Sequence, residues 1–169
     1  FATVKTYNGT SESISIPPTI QMGSLEYTVT GIEKFAFEGN TTLKKISSMP
    51  RWKKLSDGVF SGCSALTEIS LYGVEEIGAN VFYGCSQLTK VIMPDVKSIG
   101  AFAFSGCNSL ILSLPDTVEY IGYGALNGIR NPRIYIPMNA YVDYMAFPEN
   151  TYLYAHTDAK IWSCAAYTN

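Results

Sequence analysis

The segment Ile77-Gly78-Ala79-Asn80-Val81-Phe82-Tyr83-Gly84-Cys85-Ser86-Gln87-Leu88 recurs as Ile99-Gly100-Ala101-Phe102-Ala103-Phe104-Ser105-Gly106-Cys107-Asn108-Ser109-Leu110. Its Ile, Gly, Phe, Gly-Cys and Leu landmarks are all displaced by 22 residues, from 77 to 99 and onward. A fixed period of this size marks a repeat solenoid, because one such unit cannot bury its apolar face except by stacking on its neighbours. Three further copies surround these two. One carries Ile32, Ala36-Phe37, Gly39-Asn40 and Leu43, and another carries Leu55, Val59-Phe60, Gly62-Cys63 and Leu66. The last carries Ile121-Gly122, Ala125-Leu126 and Gly128-Ile129, with Pro132 where Leu belongs.

Between the Leu of one copy and the Ile of the next lies a short alternating run, often closed by proline. Examples are Val91-Ile92-Met93-Pro94, Leu112-Ser113-Leu114-Pro115 and Ile134-Tyr135-Ile136-Pro137. Period-2 alternation over so few residues predicts one short strand per coil, and a proline ends it by giving no N–H to the ladder. A second extended piece, such as Val74 to Ile77 or Val96 to Ile99, opens each repeat on the opposite side. The recurring glycines Gly39, Gly62, Gly84, Gly106 and Gly128 are read as left-handed positions ending a single helical turn, not as a phosphate loop.

The pattern Ile-Gly-x-x-Ala-Phe-x-Gly-Cys-x-x-Leu-x-x-Val-x-Met-Pro resembles the BspA-type leucine-rich repeat, also called the Treponema pallidum type. The resemblance is strong over residues 29 to 137 and weaker at Ile14-Ser15-Ile16-Pro17. Departures fall in the outer copies: Asn40 and Ile129 replace Cys, Leu126 replaces Phe, and Pro132 replaces Leu. The resemblance implies a secreted or surface-attached bacterial protein that adheres to, or recognises, proteins or glycans of a host or neighbouring cell. The fold expected is a leucine-rich-repeat stack, mainly β, of about 22 residues per coil. It forms one domain over 1–169: an N-terminal cap at 1–28, five repeats at 29–137 and a C-terminal cap at 138–169.

Both caps have their own signals. Asn8-Gly9 is a turn dipeptide that favours a hairpin between Thr3–Tyr7 and Ser13–Pro17. Near the other end, Ile161, Trp162, Ala165 and Ala166 fall at helical spacing with Thr157 or Asp158 as N-cap, so a short C-terminal helix over Asp158–Tyr167 is expected to cover the last coil.

Chemistry finds few footholds. Cys63, Cys85 and Cys107 must form a column, one per coil, and are expected to be buried free thiols. A straight column cannot wrap a tetrahedral ion, and the single His156 is remote. No nucleophile has an obvious base, and Glu75 and Glu76 are adjacent in an extended piece and so point apart. No catalytic residue, metal or cofactor is expected, and an enzyme is disfavoured. The formal net charge is −2, which gives no reason to expect nucleic acid. No window approaches the ~18 apolar residues of a membrane span. The chain begins at Phe1 without a charged-then-apolar leader and is read as a processed or trimmed form that acts as a monomer.

What remains is surface. On the proline-ended strands Ser47, Ser70, Ile92, Ser113 and Tyr135 are expected to face outward, flanked by Lys45, Glu68, Lys90 and Arg133. Lys45, Lys90, Ile92, Arg133 and Tyr135 are therefore the candidate macromolecular contact face, since Tyr and Arg are favoured at interfaces. The competing reading is a structural spacer with no ligand of its own. A contiguous exposed aromatic patch would favour binding, whereas scattered Ser, Thr and Lys would favour the spacer.

Overall fold

The computed structural model describes residues 1–130, 133–148, 151–155 and 160–161. The chain enters through β1 (Ala2–Val4) and β2 (Ser13–Ser15), then turns back on itself as β3 (Thr19–Met22) and β4 (Leu25–Ile32). The coils follow. One side carries β5 (Lys45–Ser48), and the other β6 (Lys54–Leu55). The alternation continues with β7 (Glu68–Ser70), β8 (Glu76–Ile77), β9 (Lys90–Ile92) and β10 (Ser98–Ile99). Then come β11 (Tyr120–Ile121), β12 (Arg133–Ile136), β13 (Tyr141–Val142), β14 (Tyr152–Ala155) and β15 (Lys160–Ile161). Among the described residues no α-helix forms.

Two parallel sheets line the stack. One is four-stranded, in the order β2-β5-β7-β9, and the other six-stranded, in the order β15-β13-β11-β10-β8-β6. The second holds strict register from coil to coil: Leu55 opposes Ile77, Ile77 opposes Ile99, and Ile99 opposes Ile121. Strands this short pair parallel because the rest of each coil forms the crossover connection that parallel pairing requires.

The third side of each coil is an arc of turns, stitched to the next coil by main-chain hydrogen bonds. The N–H groups of Asn80, Phe82 and Gly84 donate to the carbonyls of Ala101, Ala103 and Ser105 at 2.9, 2.8 and 2.8 Å. Those of Phe102, Phe104 and Gly106 repeat the pattern one coil on, to Tyr123, Ala125 and Asn127. Where a single helical turn is expected, the arc is instead a run of i→i+3 turns, such as Ser61 N–H to Gly58 and Cys63 N–H to Phe60. The remaining donors are committed to the neighbouring coil, so no i→i+4 ladder develops. Gly84 and Gly106, at φ 70° and 79°, hold the left-handed corners of this arc.

The core runs the length of the stack. Phe37, Phe60, Phe82 and Phe104 are buried in one column, with successive ring centroids 5.3, 5.6 and 5.2 Å apart. Tyr7 extends it past the first coil, 5.0 Å from Phe37, so the N-terminal segment covers that end of the column. Cys63, Cys85 and Cys107 form a second buried column as free thiols.

Four expectations change in detail. The Asn8-Gly9 hairpin does not form. β1 pairs parallel with β4 whereas β2 pairs with β5, so the two strands belong to different sheets of one coil. The hairpin is instead β3–β4, closed by Gly23-Ser24 with Gly23 at φ 66°. Second, Leu112-Ser113-Leu114 keeps its buried–exposed–buried alternation but forms no strand. The coil is a residue short there: Leu88 to the buried Val91 position is three residues, whereas Leu110 to Leu112 is two. A one-residue slip takes side chains out of ladder register, and the four-stranded sheet ends at β9. Third, β12 therefore pairs with β14 in a separate two-stranded sheet.

Fourth, the C-terminal helix expected over Asp158–Tyr167 is contradicted at Lys160–Ile161, which form β15 parallel to Tyr141–Val142. Pairing satisfies the open edge of β13 directly, so another coil strand takes the place expected of a helix. The remainder of that expected helix, with Trp162 and Cys164, lies outside the described residues, as does His156. The paired strands β2 and β15 carry the repeat sheets beyond residues 29–137 on both sides.

Candidate functional site

The proline-ended strands distribute the expected contact residues over two sheets. Lys45 and Lys90 stand on either side of Glu68 in register on the four-stranded sheet. The Lys45 ammonium is ion-paired with Glu68, which holds that carboxyl below the usual carboxylate range, and Lys90 adds to the attraction. Ile92 is half-buried beside Ser70, its register partner. Arg133 and Tyr135 lie on β12, in the separate two-stranded sheet. There Tyr135 faces Tyr154 in register; both are more than half exposed, and the Arg133 guanidinium sits 6.0 Å from the Tyr154 ring centroid. The structure thus brings Arg133 and Tyr135 together, separates them from Lys45, Lys90 and Ile92, and turns the Lys45–Glu68–Lys90 row into a charge-matched strip.

The six-stranded sheet carries a different surface. Along its outward row the register partners are Lys54, Glu76, Ser98, Tyr120 and Tyr141. Lys54 and Glu76 pair at 2.8 Å, and beyond Ser98 the row becomes aromatic. Tyr120 and Tyr141 stack with centroids 5.8 Å apart and planes only 9° from parallel. Three residues further along each coil, Tyr123 and Tyr144 form a second pair at 6.3 Å, tilted by 32°. Phe102 meets the edge of Tyr123 at 5.2 Å and prolongs this second row by one coil. Tyr120, Tyr123, Tyr141 and Tyr144 are 37, 40, 39 and 53% exposed, and Met145 beside them is 39% exposed.

Local bonding fixes these rings. The Tyr120 hydroxyl donates to Asp143 Oδ2 at 3.4 Å, while the Tyr144 N–H donates to Asp143 Oδ1 at 2.7 Å. Partial burial, and then the Asp143 carboxylate, push the Tyr120 phenol above its usual range. Phe102 and Met145 adopt left-handed φ angles of 55° and 54°. Bulky side chains seldom occupy that region, and such strain persists only where surrounding structure imposes it. The Phe102 ring lies where a Cβ on Gly124 would stand, 2.5 Å away, so Gly124 is what lets this ring lie over the next coil.

Elsewhere the surface is electrostatically closed. A shallow depression of about 510 Å³ is lined by Arg51, Lys53, Glu75, Asp95 and Lys97 among others. Two of its cations are already used, since Glu75 bridges Lys53 and Lys97, and these hydrogen-bonded ammonium groups bring the Glu75 carboxyl down to about 2. Among the described residues no three His, Cys, Asp or Glu side chains gather as a metal site. Nor is any helix there long and apolar enough to cross a membrane.

Sequence reasoning missed the tyrosine rows. Their signal is present as Tyr120-Ile121-Gly122-Tyr123 and Tyr141-Val142-Asp143-Tyr144, the same Tyr-apolar-x-Tyr phrase 21 residues apart. The second copy lies past the strong repeats, where the period shortens.

Comparison with known proteins gives a consistent picture. A family model described as the BspA type leucine-rich repeat region matches residues 12–133 and 75–157, with six copies. A leucine-rich cell surface protein from Faecalibacterium prausnitzii is 27% identical with a TM-score of 0.77; the match covers 93% of this chain and 50% of that one. The leucine-rich repeat protein of T. pallidum has a TM-score of 0.70 at 24% identity over 87% of this chain and 75% of its own. A leucine-rich repeat protein from Bacteroides ovatus is 30% identical with a TM-score of 0.57, covering 83% of this chain and 32% of that one. The chain thus spans half the length of the F. prausnitzii protein and about a third of the B. ovatus one. No curated protein matches the chain.

Proposed function

Because this chain belongs to the BspA-type leucine-rich repeat family, we propose that it is a non-enzymatic recognition module, secreted or displayed at a bacterial cell surface. It contacts a protein or glycan of a host or neighbouring cell through the tyrosine rows of its six-stranded sheet. In this reading the chain works as one repeat domain and as a monomer, with 1–28 and 138–169 closing a stack of five repeats at 29–137. The observation that carries the proposal is the contiguous aromatic patch formed by Tyr120, Tyr123, Tyr141 and Tyr144. A spacer gains nothing from four partly exposed rings, whereas Tyr supplies rigid contact area with a polar tip. Individual contacts on so open a surface are weak, and display of many copies raises overall binding by about 10²–10⁴.

A second reading places the contact on the strand face carrying Lys45, Lys90, Ile92, Arg133 and Tyr135. It is favoured by Tyr135 and Tyr154 side by side, with Arg133 over the latter ring. The charge-matched Lys45–Glu68–Lys90 strip fits the spacer role better.

The test is adhesion to mucin, matrix proteins and glycan arrays by three proteins: wild type, Tyr123→Ala/Tyr144→Ala, and Ile92→Ser/Arg133→Ser/Tyr135→Ser. Loss in the tyrosine variant with retention in the triple variant is the expected result. Equal binding by wild type and the tyrosine variant overturns the aromatic face, and loss confined to the triple variant moves the site to the strand face. Wild type that binds no surface favours the spacer.

A further inference from the structure

We infer that the two tyrosine rows form a binding site for an uncharged polysaccharide chain laid along the axis of the stack, an assignment that rests on the recognition reading above. Three observations select this occupant. The first is chemical. Tyr rings offer π faces to the C–H faces of pyranose rings, and the phenol groups with Asp143 offer hydrogen-bonding partners to sugar hydroxyls at the same surface. The second is geometric. Phe102, Tyr123 and Tyr144 advance one coil at a time with centroids 5.2 and 6.3 Å apart, and Tyr120 and Tyr141 keep step beside them at 5.8 Å. A repeating receptor with steps close to the length of one sugar residue suits a repeating ligand, each unit meeting the same contact.

The third is size and charge. At their observed exposures, the four tyrosines and Met145 leave roughly 300–500 Å² of apolar surface, taking the 150–250 Å² that an aromatic side chain can bury. A stable protein interface or dimer takes about 800 Å² from each partner, so the patch is too small for a folded protein and adequate for a chain one sugar wide. Within residues 118–124 and 139–146 the charged groups are Glu119 and Asp143, both acidic. An anionic glycan or a nucleic acid would be repelled, whereas an uncharged one is not. The site needs little ordering on binding, because each ring is carried on a strand or on the turn that follows it.

Affinity electrophoresis and calorimetry of the whole chain against a soluble β-glucan, a xylan and a mannan, with polygalacturonate as the anionic control, test this directly. Wild type should bind at least one neutral polymer and not polygalacturonate. Tyr120→Ala/Tyr141→Ala and Tyr123→Ala/Tyr144→Ala should each weaken binding about tenfold or more. Tyr123→Phe/Tyr144→Phe, which keeps the rings, should retain most of it, and urea unfolding should show all variants folded. Failure to bind any neutral polymer, or binding that the Ala variants leave unchanged, overturns the polysaccharide assignment. If the neutral polymers fail while the tyrosine rows still mediate adhesion to a protein surface, this assignment falls and the recognition reading stands. If the Ala variants alter no adhesion of any kind, both fall.

Discussion

The thiol of Cys85 donates to the carbonyl oxygen of Phe60 in the preceding coil, 3.1 Å away. Cys63 and Cys107 make the same bond to Phe37 and Phe82 at 3.0 and 3.1 Å, so the sulfur column is tied to the phenylalanine column coil by coil. Burial pushes the Cys63 and Cys107 thiols up to about 12, and Cys85 higher still, where the flanking thiols add to the effect. A thiol held protonated in the fold ionises first in the unfolded chain. Its stabilising contribution is therefore complete below about pH 9 and is lost as pH rises toward 12. A variant with all three changed to Ala should lose less stability than wild type between about pH 8 and pH 10.5, by roughly 1–2 kcal/mol per thiol. Native protein should also show few groups reactive to a thiol reagent, and denatured protein all four cysteines of the chain.

The ring column should dominate stability. Phe82 is fully buried, with Phe60 stacked on one side and Phe104 on the other. Phe82→Ala removes two ring contacts and leaves a cavity that neighbouring coils cannot close, at a cost of about 3–5 kcal/mol. Phe82→Leu keeps most of the volume and should cost clearly less. Equilibrium urea unfolding of the two variants checks both the size and the order.

Glu75 gives a site-specific acid titration. With Lys53 and Lys97 both hydrogen-bonded to it, its carboxyl should titrate near 2 by NMR. A carboxylate with a depressed folded pKa stabilises above its ordinary value of 4.5 and loses that contribution as pH falls toward 2. Lys53→Ala/Lys97→Ala should return the midpoint toward 4.5. Near neutral pH the same variant should melt within a few degrees of wild type, because exposed ion pairs contribute little.

Gly100 marks where coils touch backbone to backbone. A Cβ there would stand 2.6 Å from the Gly78 carbonyl carbon and 2.7 Å from the Ala79 nitrogen. Neither can retreat as a flexible side chain would, so Gly100→Ala should cost about 1–3 kcal/mol or more through overpacking. Gly23→Ala is the control. Its Cβ meets nothing within 4 Å, and only its left-handed φ of 66° is penalised, by about 1–2 kcal/mol. Thermal melts of the pair should rank Gly100→Ala as the more damaging.

The repeat was legible because its landmarks are the buried ones. Phe82 and Phe104, Cys85 and Cys107, and Gly84 and Gly106 recur at one spacing since each must meet its counterpart in the next coil. Outward residues carry no such obligation, and there the sequence was a poorer guide. Ser98, Tyr120 and Tyr141 occupy one row of one sheet, yet nothing in their identities says so until the coils are aligned in space. The two ends misled for a related reason. Asn8-Gly9 has the local chemistry of a hairpin, but β1 and β2 find better partners in β4 and β5. Ile161 has helical spacing to its neighbours, but the open edge of β13 takes Lys160–Ile161 as a strand. In each case a long-range ladder outweighs a local propensity. The missing residue before Leu112 was visible as spacing, but its consequence, a sheet that ends at β9, required the register.

The central claim is that the tyrosine rows are where this protein meets its target. It is tested most directly by tyrosine-selective ring NMR during titration with whichever surface polymer or protein the wild type retains. The account predicts shifts at the Tyr120, Tyr123, Tyr141 and Tyr144 rings, with Tyr27 and Tyr83 unmoved. Shifts confined to Tyr135 and Tyr154, or none at the four row tyrosines while the target is bound, would contradict it.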